Sequence, residues 1–204
     1  MRLRPVRGLG GDRLARDRAL ARRDRFRARR ARRDPRSRKA RPARTISGVT
    51  ERLGYDEDKA FLLADDAATI ARIVRTVPAA RLRSTKIGDW TALEVIGHVA
   101  DSAEIFADRV QRCQVEDNPR LDSYDQDALQ LERRNNDREP MELSKRLSAA
   151  HARIVQLLQR PGAAARAGTH SAWGQVDAGH FATYQADHAH GHTSEVAALF
   201  PPNR

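Results

Sequence analysis

Gly88-Asp89-Trp90-Thr91-Ala92-Leu93-Glu94-Val95-Ile96-Gly97-His98-Val99-Ala100-Asp101-Ser102-Ala103-Glu104 contains the best-marked helix start in the chain. Thr91 and Glu94 stand three apart as a capping box, in which each side chain satisfies a backbone N–H that the first turn leaves unpaired. Trp90 and Val95 flank them where a hydrophobic staple holds the entering chain. From Ala92 the apolar residues Ile96, Val99, Ala103, Phe106, Val110 and Cys113 recur in steps of three and four, predicting a helix to about Gln114. His98 lies beside that stripe, next to Val95, Ser102 and Ile105.

The same period appears on both sides of this segment. Asp56 to Val77 aligns Ala60, Leu63, Ala67, Ile70, Val74 and Val77 and is ended by Pro78. A third helix starts at Pro140, carries Leu143, Leu147, Ala150, Ile154 and Leu157, and stops at Arg160-Pro161-Gly162. The fourth runs from about Asp177 to Leu199. Glu116 to Arg138 is polar, with a short helix expected over Asp125 to Arg133, and no strand pattern or repeat competes. Four amphipathic segments of similar length predict an all-α four-helix bundle over residues 55 to 200.

Charge divides the chain. Of 38 Lys and Arg and 27 Asp and Glu, residues 1 to 44 hold 19 and 4, a local net of +15; residues 45 to 204 carry 19 and 23, a net of −4. Residues 1 to 50 are therefore expected to form an Arg-rich extension without enough apolar surface to fold. Its alternatives are an arm that grips phosphates, with nucleic acid bound only through residues 1 to 44, or a start assigned too far upstream in a G+C-rich gene. No apolar run is long enough for a membrane span and no secretory h-region follows Arg2, Arg4 and Arg7, so a cytoplasmic location is expected. With Cys113 the single cysteine, a disulfide framework and multi-cysteine zinc sites are excluded. Any metal must be held by His and carboxylates, and Cys113 itself reads as a small core residue.

The fourth helix puts polar groups on its inward stripe: Ala178, Phe181, Gln185, His188, His192, Glu195 and Leu199. Buried imidazoles and carboxylates need partners. His188 and His192, one turn apart, can share a cation, whereas His190 points away to solvent. His98 is the natural third ligand, and its alternative is an edge-of-core histidine bonded to a carbonyl. Glu195 and Asp101, each one turn beyond a histidine, are candidate catalytic or ligand-orienting carboxylates, with a rim salt bridge and a surface carboxylate as alternatives. Thr85, Trp173 and Tyr184 are candidate pocket or core residues, His170 and His180 are placed near the entrance of the fourth helix, and His151 is expected to be exposed.

The stretch from Gly88 to Glu104, followed by Arg109, resembles the second-helix signature of the DinB-like superfamily. Asp187-His188-Ala189-His190-Gly191-His192-Thr193-Ser194-Glu195-Val196 resembles its terminal H-x-x-x-H motif, and Pro119 with Tyr124-Asp125-Gln126-Asp127-Ala128 is similar to the connecting segment of one branch. The resemblance covers residues 56 to 200. It implies a bundle in which His98, His188 and His192 bind one divalent ion, zinc or nickel first and iron also suited to imidazole. It further implies a small-molecule substrate and, from relatives that use bacillithiol, mycothiol or glutathione, thiol S-transfer with a low-molecular-weight thiol cosubstrate. Hydrolysis by a metal-activated water is the alternative chemistry; a nucleic-acid-binding protein with a basic arm and a metal-stabilised bundle without catalysis are the alternatives outside enzymology. A homodimer is compatible with this fold.

Overall fold

A computed structural model describes residues 53 to 202, and the expected basic extension lies outside them. Four long helices carry the fold: α1 (Glu57–Thr76), α3 (Ala92–Val115), α5 (Pro140–Leu158) and α6 (Ala178–Leu199). Short elements join them: α2 (Ala79–Ser84), the hairpin β1 (Lys86–Ile87) and β2 (Trp90–Thr91), then β3 (Arg120–Leu121), α4 (Gln126–Arg133), β4 (Ala167–His170) and β5 (Gly174–Asp177). Capping chemistry fixes the starts of α1, α3, α4 and α6, and Pro140 in its first turn marks that of α5. Asp56, Asp125 and Asp177 each accept a backbone N–H of the turn they open. At α3 both halves of the capping box form, Glu94 N–H donating to Thr91 Oγ1 (3.1 Å) and Thr91 N–H to Glu94 Oε2 (2.7 Å).

Each of α1 and α3 packs along both α5 and α6, so the order around the bundle is α1, α5, α3, α6. Two successive pairs, α1 with α3 and α5 with α6, are thus diagonal, whereas α3 and α5 lie side by side. The links must cross the bundle, α2 with the β1–β2 hairpin on one crossing and β4–β5 on the other. Leu63, Ile70 and Ile73 of α1, Ile96, Val99 and Phe106 of α3, Leu143, Leu147 and Ile154 of α5, and Phe181 and Val196 of α6 meet in one core. No helix of the described residues is long and apolar enough to cross a membrane.

Three expectations are corrected. Strands do exist: β1 pairs antiparallel with β2 through Lys86↔Thr91 and Ile87↔Trp90, and β3 runs parallel to β4, which pairs antiparallel with β5. The inward face of α1 turns toward Asp66 and Ile73, leaving Ala60, Val74 and Val77 half-buried. On α6 the core face is Ala182, Ala186, Ala189, Thr193 and Val196, while Glu195 and Leu199 are exposed. Small residues let α6 approach α1 and α3 closely, and that close approach outweighs the larger but mixed stripe through the histidines.

Candidate metal centre

His98 enters the site from α3, and His188 and His192 from successive turns of α6. The ring centroids form a nearly equilateral triangle with sides of 5.0, 5.2 and 4.9 Å, and the ring planes meet at 79°, 90° and 86°. His98 Nε2 and His188 Nε2 stand 3.1 Å apart, and one nitrogen from each of the three rings falls within 4.8 Å of the others. His98 is buried and the other two are half-buried, so one side of the cluster remains accessible.

Electrostatics keep His98 and His188 neutral. Burial, followed by the proximity of His188 and His192, pushes the His98 pKa down to about 3; burial, followed by His192, pushes His188 down to about 4. Neutral imidazoles offer lone pairs, and the hydrogen bonds determine which nitrogens carry them. His151 Nδ1 lies 2.8 Å from the Leu63 carbonyl, which only accepts, so Nδ1 is the protonated nitrogen and Nε2 accepts from the Gln185 amide at 3.3 Å. Gln185 Oε1 accepts from the Ser102 hydroxyl at 2.7 Å. With its proton committed there, Ser102 Oγ accepts from His188 Nδ1 at 3.4 Å, and the His188 Nε2 lone pair is left facing His98. His192 follows the same logic: Nδ1 donates to Glu195 Oε2 at 3.1 Å, leaving Nε2 as its lone-pair nitrogen. Partners of this kind orient the ligand histidines in metal sites. A three-imidazole donor set gathered this closely fits a first-row divalent ion.

Of the two candidate carboxylates, the structure brings only Glu195 to a histidine. Asp101 is directed to α5 and the segment after α4, where Oδ1 accepts from Arg146 (2.6 Å) and Oδ2 from Asn135 (2.7 Å). One turn beyond His98 on α3 faces α5, not α6, so Asp101 serves helix packing. Gly97 makes room for this arrangement, since a Cβ there would meet Asn135 Cγ at 2.3 Å.

His151, expected outside, is buried and anchors the hydrogen-bond chain. Its signal lay in the spacing, four residues after Leu147 and three before Ile154, on the apolar stripe of α5. His190 is exposed as expected, yet its Nδ1 meets the buried Asp66 at 3.1 Å. Trp90 packs its ring 4.9 Å from His98, and Tyr184 stacks on His188 at 6.0 Å and 12°. Trp173 and Phe106 extend this wall from Tyr184, at 4.7 and 5.2 Å. Thr85 contributes its backbone carbonyl to Ala92 at the start of α3. His170 packs on Trp173, and His180 in the first turn of α6 accepts the Leu53 N–H. Cys113 is buried with its pKa pushed up to about 11, an inert thiol.

Comparison with known proteins agrees with this architecture. The structure is similar to that of YfiT from Bacillus subtilis, described as a probable metal-dependent hydrolase with an unusual four-helix bundle topology. The likeness has a TM-score of 0.59 at 19% identity, over 72% of this chain and 88% of that one, and at this identity it concerns the fold. No curated protein matches the chain by sequence. The model of the DinB superfamily matches residues 15–196, most of the chain. With that match, the diagonal bundle and the motifs from Trp90 to His98 and from His188 to His192, the chain belongs to the DinB superfamily.

Proposed function

We propose that the protein is a divalent-metal-dependent enzyme whose ion is held by His98, His188 and His192, and that it catalyses S-transfer from a low-molecular-weight thiol to an electrophile. The observation that carries this reading is the convergence of three imidazoles, one nitrogen of each within 4.8 Å of the others. A divalent ion in such a donor set supplies Lewis acidity and lowers the pKa of a coordinated thiol. Zinc and nickel suit the site best, and iron is also compatible with three imidazoles.

The chain's own residues favour a reaction that needs no strong general base. Asp101 is bound to Arg146 and Asn135, and Glu195 accepts from His192. Deprotonating a thiol at neutral pH requires only solvent as the proton acceptor once the pKa has fallen. The sulfur lone pair then forms the new S–C bond while the leaving group departs with its electron pair. The wall of Tyr184, Trp173 and Phe106 beside His188 offers an apolar flank for the electrophile.

Hydrolysis is the second reading, and Glu195 is the observation that favours it: a carboxylate touching a ligand histidine is placed to handle the proton of an attacking water. Untagged protein is expected to hold close to one first-row divalent ion per chain. His98→Ala, His188→Ala and His192→Ala should each lose it while remaining helical, whereas His190→Ala keeps it. Metal-loaded protein is then assayed with a panel of thiols against a chlorobimane, and with p-nitrophenyl esters. Metal-dependent thiol consumption that survives Glu195→Gln supports S-transfer. Ester cleavage without thiol turnover, abolished by Glu195→Gln, would establish hydrolysis instead.

A further inference from the structure

Away from the histidines, one buried cation has acidic side chains near it, Asp108 and Asp122, but no direct partner among them. Arg109 on α3 is only 5% exposed and, among the described residues, forms no ion pair. Of its five N–H donors, the sole hydrogen bond among the described residues runs from Nη2 to the Asp122 carbonyl at 2.6 Å. Its guanidinium otherwise meets ring faces, 4.7 Å over Phe106, 5.7 Å over Tyr124 and 5.9 Å over Phe181. Cation–π contacts return part of the hydration lost, and the remaining donors are not sealed in the core but open to the adjoining pocket, where an anion can reach them. Burial lowers the Arg109 pKa in spite of the nearby acidic side chains, in keeping with a charge not fully compensated.

Arg109 lines an open pocket of about 360 Å³, walled on its apolar side by Ile105, Leu121 and Tyr124. Other cations nearby are occupied: Arg112 pairs with Glu116, and Arg146 with Glu104 and Asp101. We propose that Arg109 and this pocket bind the carboxylate of a small organic acid, the guanidinium fork gripping both oxygens while the carbon skeleton lies on Tyr124 and Ile105. Asp108 and Asp122 at the same pocket select the charge, since they penalise a dianion such as phosphate more than a monoanion. The aromatic wall continues from Phe106 beside Arg109 to Tyr184 and on to His188. That the acid is part of the substrate rests on the metal-enzyme reading; the binding itself does not.

The test uses full-length protein and benzoate as the probe, with inorganic phosphate as the competitor anion. Calorimetry should give saturable one-to-one benzoate binding, with a matching rise in melting temperature, in both wild type and His188→Ala. Arg109→Met and Arg109→Lys should each bind benzoate at least about tenfold more weakly, because Lys keeps the charge but not the fork. A merely structural Arg109 predicts variants that melt lower but no benzoate response in wild type, and that result would overturn the proposal. So would unchanged binding in the folded Arg109→Lys protein, or phosphate binding more tightly than benzoate. Binding lost in His188→Ala would move the anion to the histidines and refute this pocket, whereas a failed metal assay with benzoate binding intact would count only against the metal reading.

Discussion

His151 is neutral in the folded protein because a proton on Nε2 would break its bond from Gln185 and leave a charge in the core. Burial pushes its pKa down to about 4, against a smaller opposing effect of the Leu63 carbonyl. In the unfolded chain a histidine titrates near 6.5, so between about 6.5 and 4 the unfolded state binds a proton that the folded state refuses. Stability therefore falls as pH drops through that window, by about 3 kcal/mol for this group, and is fully present above it. His98 and His188 act in the same sense, so the informative quantity is a difference between proteins. Metal-stripped His151→Gln should show a pH dependence of its urea midpoint shallower than wild type by nearly one proton; identical slopes would mean that His151 is not held neutral. Ser102 lies further along the same chain. Ser102→Ala removes the acceptor for His188 Nδ1–H and frees the ring to turn, and metal affinity should fall by about 10- to 100-fold with helicity unchanged. Competition with a chromophoric chelator measures it, and an unaltered affinity would mean that the 3.4 Å contact does not orient His188.

The start of α3 shows which parts of an element its sequence can announce. Thr91→Ala removes a capping oxygen and the bond from Thr91 Oγ1 to Asn136 Oδ1, and should cost about 1 kcal/mol or somewhat more in thermal or urea unfolding. Gly97→Ala acts by a different route, since its Cβ would overlap Asn135 and push it from Asp101 and Gln130. Overpacking of this kind costs about 1–3 kcal/mol, and the expected signature is a lower urea midpoint with little change in metal affinity, because His98 is on another face. The capping box was legible since its partners lie three residues apart. Asn135 was not, because it meets Gly97 only after the chain has run through β3 and α4. The long helices were legible through stripes several turns long, whereas strands of two to four residues are too short for alternation to register. On α6 the polar stripe carries His188 and His192, which the structure brings together with His98, but the core face is written largely in alanines, whose weak hydrophobic signal a periodicity reading discounts. Asp101 was misplaced for a related reason: one-turn spacing fixes neighbours along a helix, not which helix it will face.

Across the whole molecule, the four helices that build the bundle and the cluster begin at Glu57 and end at Leu199, and they close the ring order α1, α5, α3, α6 among themselves. Among the described residues, tertiary ties begin with the first two: Leu53 N–H donates to His180, and the Thr183 hydroxyl donates to the Gly54 carbonyl. Deleting residues 1 to 44 should therefore leave a protein that melts cooperatively, keeps its helicity and binds the same amount of metal. Loss of the cooperative transition would show that part of the Arg-rich stretch belongs to the fold, a question sharpened by the family match beginning at residue 15. The same truncation separates the two charge regimes. Residues 45 to 204 carry a net of −4, which opposes binding to a polyanion, while residues 1 to 44 carry +15. Any affinity for DNA or RNA should therefore be sequence-independent, fall steeply with salt through counterion release, and vanish with residues 1 to 44. Titrating a labelled duplex at two salt concentrations against both forms measures this directly: affinity retained by the truncated protein would place the contact on the bundle, against its charge.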